Sequence, residues 1–245
     1  MKIVSFRDLT LMHIDDKKIM VVACDSCGGI GMKEEDIVKV PYEVLGYFTT
    51  SVVLCELLAI GATPIMVVDN ICMEMKHAGE GIIKGIHQAL EEIHLDGKKM
   101  LTGSTEENMK VIQSGLGITC LGIIDKDYWS FPKTYAGDDL FVIGSPKLGK
   151  EVSKNKGLSN LQIIDIIRNK NEIHEILPVG SKGIGFEISE LCRCNTLNFQ
   201  YSKENTVDIY KSAGPGTCVL VSGIGKFIVQ YLEELMCEHY YLGRF

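Results

Sequence analysis

Residues 101–109 read Leu-Thr-Gly-Ser-Thr-Glu-Glu-Asn-Met, which gathers hydroxyls, two carboxylates and an amide around Gly103. Donors set beside carboxylates suit a phosphate together with the hard cation that neutralises it. A second such stretch is Asp25-Ser26-Cys27-Gly28-Gly29-Ile30-Gly31. Its glycines let backbone N–H groups approach an anion, and Asp25 could ligate a metal bridging that anion. A hairpin turn opening with aspartate fits the same residues. A third acid, Asp69, closes the apolar run Pro64-Ile-Met-Val-Val68 and is followed by Asn70. Glu56 interrupts Val53, Leu54, Leu57 and Leu58; a carboxylate there is costly to bury alone, so it reaches water or meets a cation.

Periodicity and punctuation assign these residues to strands and helices. Apolar, β-branched runs predict strands over 18–24, 63–69, 98–101 and 115–124. Pro41 opens a helix that runs to about residue 60 and ends at Gly61. Ile82, Ile83, Ile86, Leu90 and Ile93 mark an amphipathic helix over 79–95. Successive strands therefore deliver Asp25, Asp69 and the stretch 102–108 to the edge of one sheet, where sites form. In the second half, strands are predicted over 139–143 and 217–221, and helices over 158–168, 186–192 and 226–240. The lysine-rich stretch 147–157 reads as exposed. Gly180-Ser-Lys-Gly-Ile-Gly185 reads as a helix-entry loop ahead of a phosphate turn. Neither a Walker A loop nor a G-x-G-x-x-G fingerprint occurs.

Composition narrows the classes. With 245 residues, 46% hydrophobic and 23% charged, the chain is globular and fills two modest domains or one large one. No apolar run reaches the roughly 20 residues of a membrane span, and the N-terminus lacks a signal-peptide core, which predicts a cytoplasmic protein without a membrane partner. A net charge of −7 argues against nucleic-acid binding, which depends on clustered basic residues. An anionic substrate would instead be held by lysines, backbone N–H groups or a bridging cation. Nine cysteines, an odd number, include Cys24-x-x-Cys27 and Cys192-x-Cys194. The second spacing does not complete a zinc site, and reduced, mostly buried thiols are expected.

Three segments in this order, Asp25-Ser-x-Gly-Gly-x-Gly31, Cys55-Glu-Leu-Leu-Ala-x-Gly-Ala-x-Pro64 and Thr102-Gly-Ser-Thr-Glu-Glu-Asn108, resemble the superfamily of aminoimidazole ribonucleotide synthetase, selenophosphate synthetase, thiamine-monophosphate kinase and hydrogenase maturation dehydratase. Gly137-Asp-Asp-Leu-Phe-Val-Ile-Gly144 and Gly214-Pro-Gly-Thr-Cys-Val-Leu-Val221 extend the likeness into the second half. The resemblance implies an α+β, two-domain PurM-like fold. An N-terminal ATP-binding domain over 1–135 would dimerise through its sheet, and a shortened C-terminal α/β domain would cover 136–245.

It further implies Mg-ATP as cofactor. Asp25, Glu56, Asp69 and Glu106 would be metal ligands, with Asp25, Asp69 and Glu106 also catalytic. Gly28, Gly29, Gly31, Gly103, Ser104, Thr105, Glu107 and Asn108 would lie around the nucleotide. Two positions depart from the family pattern: Glu56 stands where an aspartate is usual, and Ser104 where several members carry an acid. Within the superfamily, residues 23–31 and 103–109 are most similar to α-ribazole kinase, which would phosphorylate the 5′-hydroxyl of a nucleoside. An ATP-dependent synthetase or dehydratase of the same superfamily, and a nucleotide-binding regulator without catalysis, are the alternatives.

Overall fold

The computed structural model describes residues 2–152 and 157–245. Residues 153–156, the middle of the stretch expected to be exposed and lysine-rich, lie outside it. The chain divides into two compact units, Met1–Leu57 with Ala62–Lys126, and Leu58–Gly61 with Asp127–Phe245.

The first unit is built on strands β1 (Lys2–Phe6), β2 (Leu9–His13), β3 (Lys18–Gly28), the short pair β4 (Ile30–Gly31) and β5 (Val38–Lys39), then helix α1 (Tyr42–Ala59), β6 (Thr63–Ile71), α2 (Glu80–Glu92), α3 (Gly97–Met100), β7 (Leu101–Thr105) and β8 (Gly115–Asp125). Six strands form one sheet in the order β1-β2-β3-β8-β6-β7. Side chains alternate across a strand. Ile19, Val21 and Ala23 of β3 and Leu116, Ile118, Cys120 and Ile124 of β8 therefore share a buried face. Helix α1 packs on that face, with Leu57 against Gly122. Although α1 is long and apolar enough by composition to cross a membrane, 67% of it is buried within the protein.

Two expectations for this unit need correction. Residues 98–100 are not strand: the Asp96 side chain accepts Lys98 N at 3.1 Å and caps the short helix α3, a role aspartate fills well. Strand β7 begins only at Leu101. Strand β3 continues past residue 24 to Gly28, because it pairs with β8 all the way to Gly28↔Gly115. Asp25 is thus inside a strand, and the turn starts at Gly29.

The second unit is an antiparallel sheet in the order β10-β12-β9-β13-β11, made of β9 (Asp139–Gly144), β10 (Ile173–Pro178), β11 (Gln200–Tyr201), β12 (Cys218–Gly223) and β13 (His239–Arg244). Its helices are α4 (Asn160–Ile167), α5 (Ile184–Asn195) and α6 (Gly225–Glu234). Leu140, Val142, Leu177, Leu220 and Leu242 meet Ile184, Ile188 and Leu191 of α5 in one apolar core, while α6 packs on β9 and β12. The helix expected over 226–240 stops at Glu234. Met236 turns the chain through φ +52°, and β13 follows as a partner of β9 with Leu242 fully buried.

Helices α1 and α2 approach until their backbones touch. A Cβ on Gly46 would lie 2.1 Å from Ile82 O, and one on Gly85 would lie 2.0 Å from Glu43 O. The seam is flanked by Lys84 Nζ–Glu43 at 2.9 Å and by Tyr47 Oη donating to Glu92 at 3.0 Å. Replacing a helical glycine by alanine ordinarily gains about 1 kcal/mol. Here overlap with a rigid carbonyl outweighs that gain, so Gly85→Ala is expected to lose about 2 kcal/mol net and to melt several degrees below the parent protein. An unchanged or raised melting temperature would show that the seam has slack.

Candidate functional site

The site is organised by one hydrogen-bonded row. Asp25 of β3 pairs with Ile118 of β8, Ile118 pairs with Asp69 of β6, and Asp69 pairs with Gly103 of β7. Residues in register share a face, so both aspartates project to the helix-covered side, on either side of Ile118. Two strand spacings separate them, about 10 Å between Cα atoms. Asp69 is only 4% exposed. Gly103 makes room for it, since a Cβ there would fall 2.0 Å from Asp69 Oδ1. Burial raises the pKa of both carboxyls; the Ser104 amide opposes this at Asp69, and the Ser26 amide at Asp25.

Beyond β3 the glycine turn is braced from two loops. Gly29, at φ +70°, donates its N–H to Ser114 O at 2.9 Å and accepts from Ile37 N at 2.8 Å. Asp36, 5% exposed, accepts Lys33 N at 2.8 Å, Ser114 N at 2.7 Å and Ser114 Oγ at 2.6 Å. The Lys33 ammonium reaches Glu74 Oε2 at 2.5 Å. None of Lys33, Asp36, Glu74 and Ser114 stood out in the sequence. Asp36 sits in the charged run Lys33-Glu34-Glu35-Asp36, which reads as a solvated loop, and its partner Ser114 is 78 residues away.

The remaining predicted residues fall into two groups. Glu106 and Glu107 organise the loop after β7. Glu106 Oε1 accepts Asn108 N at 2.7 Å and Met109 N at 3.1 Å, and these amides hold its carboxyl below the usual range. Glu107 Oε1 accepts Thr105 Oγ1 at 2.7 Å and Met75 N at 2.8 Å, which ties this loop to the segment after β6. Ser104 follows Gly103 in the strand, so its side chain points to the opposite face from Asp69. Glu56 lies on α1, half-buried, and is not on the row.

Among the described residues, no group of three or more His, Cys, Asp or Glu is assembled to hold a metal ion. The donor set nevertheless fits magnesium in the mode that uses one or two carboxylates and takes its other oxygens from phosphate and water. Asp69 is a buried carboxylate with one amide to support its charge, and Asp25 points to the same side of the sheet.

All nine cysteines are unpaired. Cys24 and Cys27 lie in β3 on opposite faces, so they cannot chelate one ion, and burial pushes the Cys120 and Cys218 thiols up to about 12, far from thiolate. In the second unit, the 180–185 turn feeds α5. Gly183 N and Gly185 N are taken by backbone carbonyls, and the Glu187 carboxylate sits at Gly180 N, which leaves the turn poorly suited to an anion.

Residues 7–124, which form most of the first unit, match the family model for the AIR synthase related protein, N-terminal domain. The whole chain shares its fold with solved structures of that architecture. It aligns with thiamine-monophosphate kinase from Stenotrophomonas maltophilia K279a at TM-score 0.65 and 14% identity, covering 99% of this chain and 88% of the other. With AaThiL complexed with AMPPCP and TMP the values are 0.64 and 14%, over 98% and 85%. With T. maritima PurL complexed with FGAR they are 0.65 and 14%, over 96% of this chain, which spans 43% of the length of that PurL chain. The fold is therefore PurM-like. No curated protein matches the sequence.

A carboxyl whose pKa is raised on folding stabilises the fold below its ordinary value, and that contribution is lost as pH rises through the raised one. Asp69→Asn removes the loss while an amide oxygen still accepts from Ser104 N. In metal-free buffer the variant is expected to melt above the parent at pH 7.5, with the gap closing as the pH falls toward the ordinary aspartate value. A variant that melts lower than the parent at pH 7.5 would contradict the burial account.

Proposed function

We propose that the chain is a Mg-ATP-dependent small-molecule kinase that transfers the γ-phosphoryl group of ATP to the 5′-hydroxyl of a nucleoside, α-ribazole being the acceptor favoured by the resemblance at residues 23–31 and 103–109. The observation that carries the reading is the placement of Asp25 and Asp69 on one face of one strand row, beside a braced glycine turn. Structural neighbours complexed with ATP or AMPPCP support a nucleotide at such a site.

Phosphoryl transfer asks for positioning and charge neutralisation more than for covalent chemistry. Mg²⁺, when bound, would offset the charge of the phosphates. Asp25 and Asp69 would supply carboxylate oxygens to it, and the strand ends and loops bearing Gly28, Gly29, Gly31, Gly103, Thr105, Glu106, Glu107 and Asn108, with the Ser104 backbone, would surround the polyphosphate. In the reaction the bond from the γ-phosphorus to the ADP oxygen breaks, a bond to the 5′-oxygen forms, and the hydroxyl proton is released to solvent. An ATP-dependent synthetase is the second reading, favoured by the likeness to PurL complexed with FGAR.

The reading extends to a homodimer formed through the open face of the first unit's sheet. Met12, Met20, Val22, Val68, Leu121 and Ile123 are all partly exposed there, and Met66 is 41% exposed, an apolar surface of the kind that marks an interaction site. Sedimentation should give a dimer, and Leu121→Lys, at the centre of that face, should give a folded monomer; a monomeric parent protein would rule the interface out.

For the activity, Mg-ATP should raise the melting temperature, and ADP should be released with α-ribazole but not with thiamine phosphate or without acceptor. Asp25→Asn and Asp69→Asn should lower turnover by at least about a hundred-fold while the fold persists. Near-normal turnover in either variant would remove the metal-holding role, and ADP release without any acceptor would move the assignment away from a kinase.

A further inference from the structure

The glycine turn rests on a carboxylate whose charge has the wrong sign for an anion site, and that needs a reason. Asp36 lies directly under the turn: a Cβ on Gly31, at φ +150°, would fall 2.9 Å from Asp36 Oδ2 and 2.5 Å from Ser114 Oγ. Its oxygens are matched by protein donors, with Ser114 N on Oδ1 and Lys33 N and Ser114 Oγ on Oδ2. Three donated hydrogen bonds on one carboxylate fix its position and that of the backbone donors it joins. Further contacts point the same way. Glu35 N donates to Ile112 O at 2.9 Å, Gln113 Nε2 to Glu35 O at 3.1 Å, and Lys39 Nζ to Glu34 O at 2.8 Å. The loop is thus folded upon itself and fastened to residues 112–114, which lead into β8, the strand that carries Ile118 between the two aspartates.

We propose that Asp36 is a positioning residue of the nucleotide site: by joining Lys33 N to Ser114 it holds the 28–31 turn in one conformation, at a fixed distance from the Asp25–Asp69 row. The inference rests on the nucleotide-binding reading above. Affinity for a ligand falls by the fraction of molecules whose site is already in the binding conformation. Loosening the turn therefore weakens binding without touching the reacting atoms.

Asp36→Asn and Ser114→Ala test this from opposite sides of the contact. Asparagine keeps one acceptor for Ser114 N but turns an NH₂ donor toward Lys33 N, two donors facing each other. Ser114→Ala removes the hydroxyl contact and leaves both backbone donors and the carboxylate in place. Mg-ATP affinity is measured by titration calorimetry on the folded fraction, beside melting temperature and kcat at saturating Mg-ATP. Asp36→Asn is expected to bind at least about ten-fold more weakly, with kcat within about three-fold of the parent, and Ser114→Ala to show a smaller loss of the same kind. Should Asp36→Asn not fold, weaker binding with retained kcat in Ser114→Ala supports the proposal and unchanged binding there overturns it. A lower melting temperature with unchanged affinity in both variants makes the contact merely structural and overturns the role of Asp36. Absence of Mg-ATP binding by the parent protein overturns the nucleotide reading, and this inference with it.

Discussion

A carboxylate held at 4% exposure on the inner face of a sheet is the constraint on which the first unit depends. Asp69 stands where the alternation of β6 calls for an apolar residue, as Val67 and Ile71 on either side of it show. Its ionised form is disfavoured by burial and supported by the Ser104 amide. Such an arrangement weakens the fold in isolation, so it persists where the neighbouring structure over-determines it. Gly103 supplies that support on one side, because its missing Cβ leaves the volume the carboxylate occupies. Ile118, 1% exposed, supplies it on the other.

The rest of the unit can be read as the framework that keeps this row rigid. The α1–α2 seam lets two helices lie close together, with glycines where larger residues would hold them apart. Around the row, three loop segments are tied to one another by polar contacts that ignore sequence order: 29–39 to 112–114 through Asp36 and Ser114, 33 to 74 through the lysine–glutamate pair, and 75 to 107 through a backbone amide. Loops joined in this manner move as a group, which is what a site assembled from strand ends requires.

The legibility of this design in the sequence was uneven, for physical reasons. Helix α1 and strands β6, β8, β9 and β12 announced themselves because proline, glycine and continuous apolar runs are local signals. Asp25 and Asp69 could be picked out because each ends an apolar run with an acid. The face they share could not, since it depends on the register of β3, β8 and β6 and hence on pairings far apart in the chain. Strands β10 and β13 lack such a local signal for a related reason. His239, Tyr240 and Tyr241 continue the α6 pattern in composition, and only the left-handed turn at Met236 and the pairing with β9 make them strand. Asp36 was hidden by its neighbours, a charged run being the ordinary signature of a solvated loop.

The departure at Ser104 illustrates how register decides what a substitution means. Read along the chain, a serine in place of an acid suggests a lost ligand. In the structure, residue 104 faces the outer side of the sheet, and what it gives the row is its backbone N–H, directed at the Asp69 carboxylate. A side-chain change at that position therefore leaves the row's charge and spacing as they are. Gly103 is the position that cannot vary in the same way, since any side chain would meet Asp69 within 2.0 Å. The charge and spacing of the row are thus set by two aspartates and one glycine, held by the pairing that aligns these three.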